Sequence, residues 1–186
     1  YTLPDSPEWI PYVTAYFEEE WGFCISHEQY QELEDGLYEV CIDSTLEDGY
    51  LTYGELYIPG ALDREVLFTC YLCHPSLCND NLSGVVILSF LAQELAKHSL
   101  KYSYRFLFIP ETIGAIIWLN LNENNVSKID HGLVATCLGD SGKSTYKKSR
   151  MENACIDRVV EKVLQDSETP YEVLNFFPLG SDERQF

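Results

Sequence analysis

Apolar positions change their spacing near residue 64 of this chain. Before that point the sequence is rich in Tyr, Trp, Pro, Glu and Gly, and its alternating stretches are short. Residues 38–42 and 53–58 read as strands of period two, separated by the turn former Glu47-Asp48-Gly49. Residues 11–20 fit one short helix. From Arg64 onward, strands and helices alternate. Residues 65–72 form a continuous apolar run with Val, Phe and Tyr, which predicts a buried strand. Residues 83–98 carry apolar side chains at helical spacing: Val85, Val86, Leu88, Phe90, Leu91 and Leu95 form a wide apolar side, with Gln93, Glu94 and Lys97 on the polar one. Residues 102–109 predict a strand that Pro110 ends, 112–120 a short helix, and 132–138 a third strand. Residues 152–166 predict an amphipathic helix and 171–176 a further strand. This order predicts an α/β fold: a mixed, mostly parallel sheet sandwiched by helices, with a small α+β segment at the N-terminus. The expected division places 1–57 in that appended or inserted segment and 58–186 in the α/β domain. No internal repeat or low-complexity segment is present.

Composition narrows the classes. With 186 residues, the chain can build one substantial core and a small appendage. Its apolar content of 46% excludes a disordered polypeptide. A formal charge of −18 disfavours binding to phosphate backbones and anionic lipid surfaces, so neither nucleic acid nor membrane is an expected partner. The most apolar run, residues 82–92, is about half a membrane span. Seven cysteines make an odd count for a disulfide framework, and several lie in core-like stretches. Reduced thiols and a cytoplasmic location are therefore expected. Cys70 and Cys73 form a C-x-x-C pair, but on a strand residues three apart face opposite sides. The chain does not begin with Met and stops at Arg184-Gln185-Phe186, so it is expected to be part of a longer protein.

The candidate chemistry sits where the predicted strands end. His74 follows the first apolar strand, and Asp80 lies six residues later, just before the helix that starts at Ser83-Gly84. Glu111 follows the second strand and Asp140 the third. In an open parallel sheet such ends converge on one crevice. An imidazole and carboxylates gathered there suit a divalent metal, and zinc takes His nitrogen and Asp or Glu oxygen with one position left open for catalysis. His74, Asp80 and Asp140 are the candidate ligands. Glu111 is the candidate general base for a water whose pKa the metal lowers to about 7. Each residue also has an ordinary reading: a structural histidine, a helix cap at Asp80, a surface ion pair at Glu111. Three motifs are set aside. Gly139-Asp140-Ser141-Gly142 is like the nucleophile loop of an all-β protease fold, which the α/β pattern excludes. Gly142-Lys143-Ser144 lacks the glycine that a phosphate-binding loop needs at position 137. No G-x-S-x-G elbow occurs.

The stretches YLCHPSLCNDNLSG, RFLFIPETIG, LVATCLGD and GSDERQF resemble the co-catalytic zinc aminopeptidases, the family of bacterial leucyl aminopeptidase and glutamate carboxypeptidase. With IPYVTAYFEEEWGFCISH and LTYGELYIPG upstream, the chain more closely resembles a bacterial aminopeptidase-like branch of domains of unknown function, sometimes linked to polysaccharide biosynthesis. The resemblance implies that His74 is a zinc ligand and that Asp80 is the aspartate bridging two metals. It also implies that Glu111 is the general base, and that Asp140, or in its place Cys137, is the terminal carboxylate-position ligand. Gly180-Ser181-Asp182 resembles a loop bordering the substrate pocket, which makes Thr112, Ser181 and Asp182 candidate pocket residues. A last histidine ligand is implied beyond Phe186. Two departures stand out. Ser76 replaces the aspartate that normally orients the histidine ligand, a kind of loss that costs about 10–100-fold in affinity or activity. Thr112 replaces the second glutamate, so one zinc ion is expected rather than two.

The expected function is a zinc-dependent aminopeptidase or amide hydrolase acting on a peptide or small amide, and self-association is compatible with it. Two rivals stand beside it: a deacylase or amidase of surface-polysaccharide metabolism, and a catalytically degenerate peptidase fold used for binding or scaffolding.

Overall fold

Three apolar runs become the parallel strands of one sheet, and the loops that follow them leave from one edge. The computed structural model describes residues 1–13, 21–43, 45, 47–73, 78–177 and 180–186. The chain divides into two units, Tyr1–Asp48 and Gly49–Phe186.

In the first unit the described residues hold one short helix, α1 (His27–Gln31). Its N-terminus is closed reciprocally. The Ser26 hydroxyl accepts from the Gln29 amide at 3.1 Å, and the Gln29 side chain accepts from the Ser26 amide at 3.2 Å. Residues 38–42 form no strand. Their alternation is real, but Tyr38, Val40 and Ile42 are all exposed. Period-two patterning makes a strand only when a neighbouring strand takes up the backbone hydrogen bonds. The expected helix over 11–20 falls largely outside the described residues.

The second unit is α/β. Strand β1 (Gly54–Ile58) pairs antiparallel with β3 (Ser103–Ile109). Strand β2 (Glu65–Tyr71) pairs parallel with β3 on one side and with β4 (Ile129–Val134) on the other. The order is β1-β3-β2-β4. Strand β1, which the sequence reading placed at the end of the N-terminal segment, is thus hydrogen-bonded into the main sheet. A second, two-stranded parallel sheet joins β5 (Ser144–Lys147) to β6 (Tyr171–Leu174).

Alternate residues of the central strands feed two cores. Cys70 and Phe106 pack with Leu88 and Ala92 of helix α2 (Ser83–Leu95) and with Ala135 on one face. Leu67, Leu107 and Ile109 pack with Ala115 and Trp118 of helix α3 (Ile113–Leu121) on the other. Each fully buried Leu or Ile contributes about 1.5–3 kcal/mol. The two helices therefore cover opposite faces. The chain leaving β2 turns to one face, and the chain leaving its neighbour β3 turns to the other. In open α/β sheets ligands bind outside the C-terminal ends of strands whose connections reverse in this way.

Two buried polar clusters hold the unit together. Arg105, in the middle of β3, donates to both Glu65 carboxylate oxygens, at 2.7 and 3.0 Å, and pairs with Glu55 across β1. Asp157, in the first turn of helix α4 (Cys155–Asp166), accepts from Tyr146 Oη, from the Ser149 amide and hydroxyl, and from the Ala154 amide, at 2.7–2.8 Å. Burial alone would raise the Asp157 pKa, but these four donors bring it below the ordinary aspartate value. No helix among the described residues is long and apolar enough to cross a membrane.

Candidate functional site

The turn from β2 into α2 is built by its own polar side chains. Residues Asp80 (φ −106°, ψ 94°) and Asn81 (φ −133°, ψ 36°) leave the helical region, so backbone groups there need partners from elsewhere. The buried Asn81 donates to the Ala135 carbonyl at 2.8 Å and accepts from the amides of Cys137 (3.2 Å) and Gly84 (3.3 Å). Asn79 accepts from the Gly139 amide at 2.7 Å and donates to Asp140 Oδ2 at 3.1 Å. Ser83 Oγ donates to the Asn79 carbonyl (2.6 Å) and accepts from the Leu138 amide (2.9 Å). Residues 79–83 thereby tie the loop after β2 to the loop after β4. Gly84 is required by this approach, because a Cβ there would lie 2.6 Å from the Ala135 carbonyl oxygen.

Within this turn the Asp80 Oδ1 accepts a 2.6 Å hydrogen bond from the Tyr71 hydroxyl, which is itself 2.6 Å from Thr136 Oγ1. Burial, reinforced by the Asp80 carboxylate, raises the Tyr71 pKa, so the phenol stays protonated and orients the acid. Asp140 is held at both oxygens, by Asn79 and by the Gly142 amide at 2.7 Å.

Glu111 lies two residues beyond the end of β3. Every amide around it has a partner. Its own N–H donates to Cys73 Sγ at 2.7 Å, the Thr112 N–H to Asp182 Oδ1 at 2.7 Å, and the Ile113 N–H to the Glu111 carbonyl at 2.6 Å. That last bond, with Thr112 at φ 60° and ψ −63°, closes a γ-turn of the rare positive-φ kind. The Glu111 carboxylate accepts from Ser181 Oγ. Cys70 and Cys73 are protonated thiols: burial pushes Cys70 up to about 12 and raises Cys73, with the Asp182 carboxylate adding to both. No disulfide forms among the described residues.

Asp182 is 0% exposed, and among the described residues its second oxygen has no partner. Burial raises its pKa to about 6; the Glu111 and Glu183 carboxylates add to this, and the Thr112 amide opposes it. The adjacent Glu183 pairs with Lys147 at 3.0 Å, and Cys70 and Cys73 are titratable neighbours of Asp182. The sign follows from linkage. Between the unfolded aspartate value of about 3.9 and about 6, the folded protein binds the extra proton, so this group removes stability as pH rises through that window. Asp182→Asn is expected to gain about 3 kcal/mol on the wild type between pH 4 and pH 7. Urea unfolding of both proteins across that range measures it, and parallel curves would contradict it.

Of the residues expected from sequence, Asp80, Glu111 and Asp140 lie in the loops after β2, β3 and β4 at one sheet edge. His74 lies outside the described residues. Among the described residues, no three His, Cys, Asp or Glu side chains come close enough to hold a metal ion. Thr112 and Asp182 are joined to each other, and Ser181 to Glu111. Sequence reasoning did not find Tyr71, Cys73, Asn79, Asn81 and Thr136. The run N-D-N-L-S-G between two apolar segments was the available signal for the two asparagines.

The chain matches, over residues 1–186, the family described as a domain of unknown function (DUF4910), and it belongs to that family. A Clostridium acetobutylicum protein, named provisionally for polysaccharide biosynthesis with an aminopeptidase-like domain, is 55% identical over the whole of this chain and 43% of its own length. A crystal structure from the same organism, described provisionally as a peptidase, superposes with TM-score 0.93 at 55% identity, again over the whole of this chain and 44% of its own. The chain therefore spans less than half the length of these relatives. A glutaminyl cyclase from an Acidobacteriales bacterium shares the fold at TM-score 0.60 and 13% identity, over 72% of this chain and 53% of its own.

Proposed function

We propose that this member of the DUF4910 family contributes the water-activating part of a zinc-dependent amide hydrolase of aminopeptidase type. The observation that carries this reading is that Asp80 and Glu111 follow the C-terminal ends of the neighbouring parallel strands β2 and β3, whose connections diverge to opposite faces of the sheet. The donor chemistry fits a hard or borderline divalent cation: two aspartates, each steadied by neutral donors, of the kind that orient ligands around a metal. His74, Asp80 and Asp140 would hold the ion. When bound, zinc supplies Lewis acidity toward the amide carbonyl and a water of lowered pKa. Glu111, held by Ser181, takes the proton from the attacking water and delivers it to the leaving amine. Tyr71 keeps Asp80 aimed, and Asn79 keeps Asp140 near the same turn. Thr112 uses its amide to bind Asp182 and offers no carboxylate for a second ion, which favours one metal.

The aminopeptidase-like description of the Clostridium relative supports peptides as substrates. Its association with polysaccharide biosynthesis favours a second reading, hydrolysis of N-acyl groups on amino sugars. Release of p-nitroaniline from aminoacyl anilides by the full-length protein, set against release of acetate from N-acetyl sugars, separates the two. Turnover of neither by zinc-loaded protein would leave the scaffold reading standing.

A further inference from the structure

The γ-turn at Thr112 sits directly beside the proposed base. Positive-φ geometry at a threonine is unfavourable by about 1–3 kcal/mol and persists only where surrounding structure over-determines it. Two neighbouring residues of the C-terminal segment supply that determination. Asp182 Oδ1 takes the Thr112 N–H at 2.7 Å, and Ser181 Oγ donates to the Glu111 carboxylate. An aspartate that is 0% exposed and, among the described residues, leaves Oδ2 without a partner is costly to keep in a fold. A neutral side chain would fill the same space without that cost. The buried acid is thus bound to one task, the Thr112 amide.

We propose that Asp182 is a positioning residue for Glu111: its carboxylate fixes the Thr112 amide and hence the γ-turn that aims the Glu111 side chain, while Ser181 fixes the carboxylate itself. Asp182 is buried and acts through the Thr112 amide on Glu111, so its role is positioning rather than catalytic. This assignment rests on Glu111 being the general base, so its test has one readout that depends on catalysis and one that does not.

The catalytic readout uses the full-length protein loaded with zinc. Asp182→Ala is expected to lower kcat about tenfold or more, with KM and bound zinc within about twofold of wild type. Asp182→Asn keeps a carbonyl oxygen for the Thr112 amide and is expected to regain most of the lost kcat. Ser181→Ala is expected to lower kcat in the same way. A wild-type kcat in Asp182→Ala, or a loss confined to KM or to zinc, would overturn the assignment.

The second readout is hydrogen exchange at the Thr112 amide. It is expected to be slow in wild type and Asp182→Asn, and about tenfold faster or more in Asp182→Ala. Unchanged exchange in Asp182→Ala overturns the assignment whether or not the protein hydrolyses amides. Should Asp182→Ala fail to fold, Asp182→Asn and Ser181→Ala decide: slow Thr112 exchange in the first and reduced kcat in the second support it, and fast exchange or full kcat refutes it. Changed exchange with no hydrolysis by wild type faults the hydrolase reading alone.

Discussion

Glu111→Gln is expected to lower amide hydrolysis by the full-length protein about 10²–10⁴-fold, the usual worth of a positioned general base. The glutamine carbonyl oxygen can still accept from Ser181 Oγ, and the Glu111 amide still donates to Cys73. The fold and the neighbouring turn therefore stay as they are, and only the capacity to take a proton is removed. The loss should fall on kcat, with KM and bound zinc unchanged, because a general base acts in the transition state and Glu111 is not among the proposed ligands. Steady-state kinetics on an aminoacyl anilide, with a thermal unfolding scan of each protein, measures both halves. Activity within threefold of wild type, in protein of equal stability, would contradict the assignment of Glu111.

Arg105→Leu is expected to destabilise the α/β unit by about 3–5 kcal/mol, the cost of breaking a buried ion pair from one side. The Glu65 side chain is only 3% exposed, and Arg105 is its cation. Removing the guanidinium also frees Glu55 from β3 and loses stacking over Tyr57, at 4.8 Å, and Trp118, at 5.8 Å. A second change, Glu65→Leu, removes the stranded charge and is expected to recover much of the loss. Urea denaturation of the two single variants and the double variant closes the cycle. A single-variant loss below about 1 kcal/mol would mean that water already reaches the Glu65 carboxylate.

Where the sequence foretold structure, burial was the reason. Residues 65–72 and 102–109 are apolar on both sides because helices cover both faces of the sheet, and β2 and β3 end within one residue of the expected positions. The helix over 83–98 was legible from its apolar stripe and ends at Leu95. Strand β5 was not legible: Ser144–Lys147 reads S-T-Y-K, a polar segment that pairs through its backbone with β6 and carries little pattern of its own. Residues 38–42 show the opposite case, a pattern with no pairing. At the candidate site, Glu111 and Asp80 stood out because acids at the ends of apolar strands are conspicuous. The work of Asn79 and Asn81 was hidden, because their partners are backbone groups 54–60 residues away in sequence. The sequence pattern marks Thr112 as the place of a missing ligand; its backbone conformation and its amide, which no side-chain pattern reports, are what the fold uses.

Zinc bound by the full-length protein, wild type against Asp80→Ala, is the most direct test of whether these carboxylates form a metal centre. After equilibrium dialysis at matched free zinc, about one equivalent is expected on wild type, with affinity reduced at least about tenfold in Asp80→Ala. Wild-type protein that retains no stoichiometric zinc, or an Asp80→Ala variant that binds it equally well, would contradict the account.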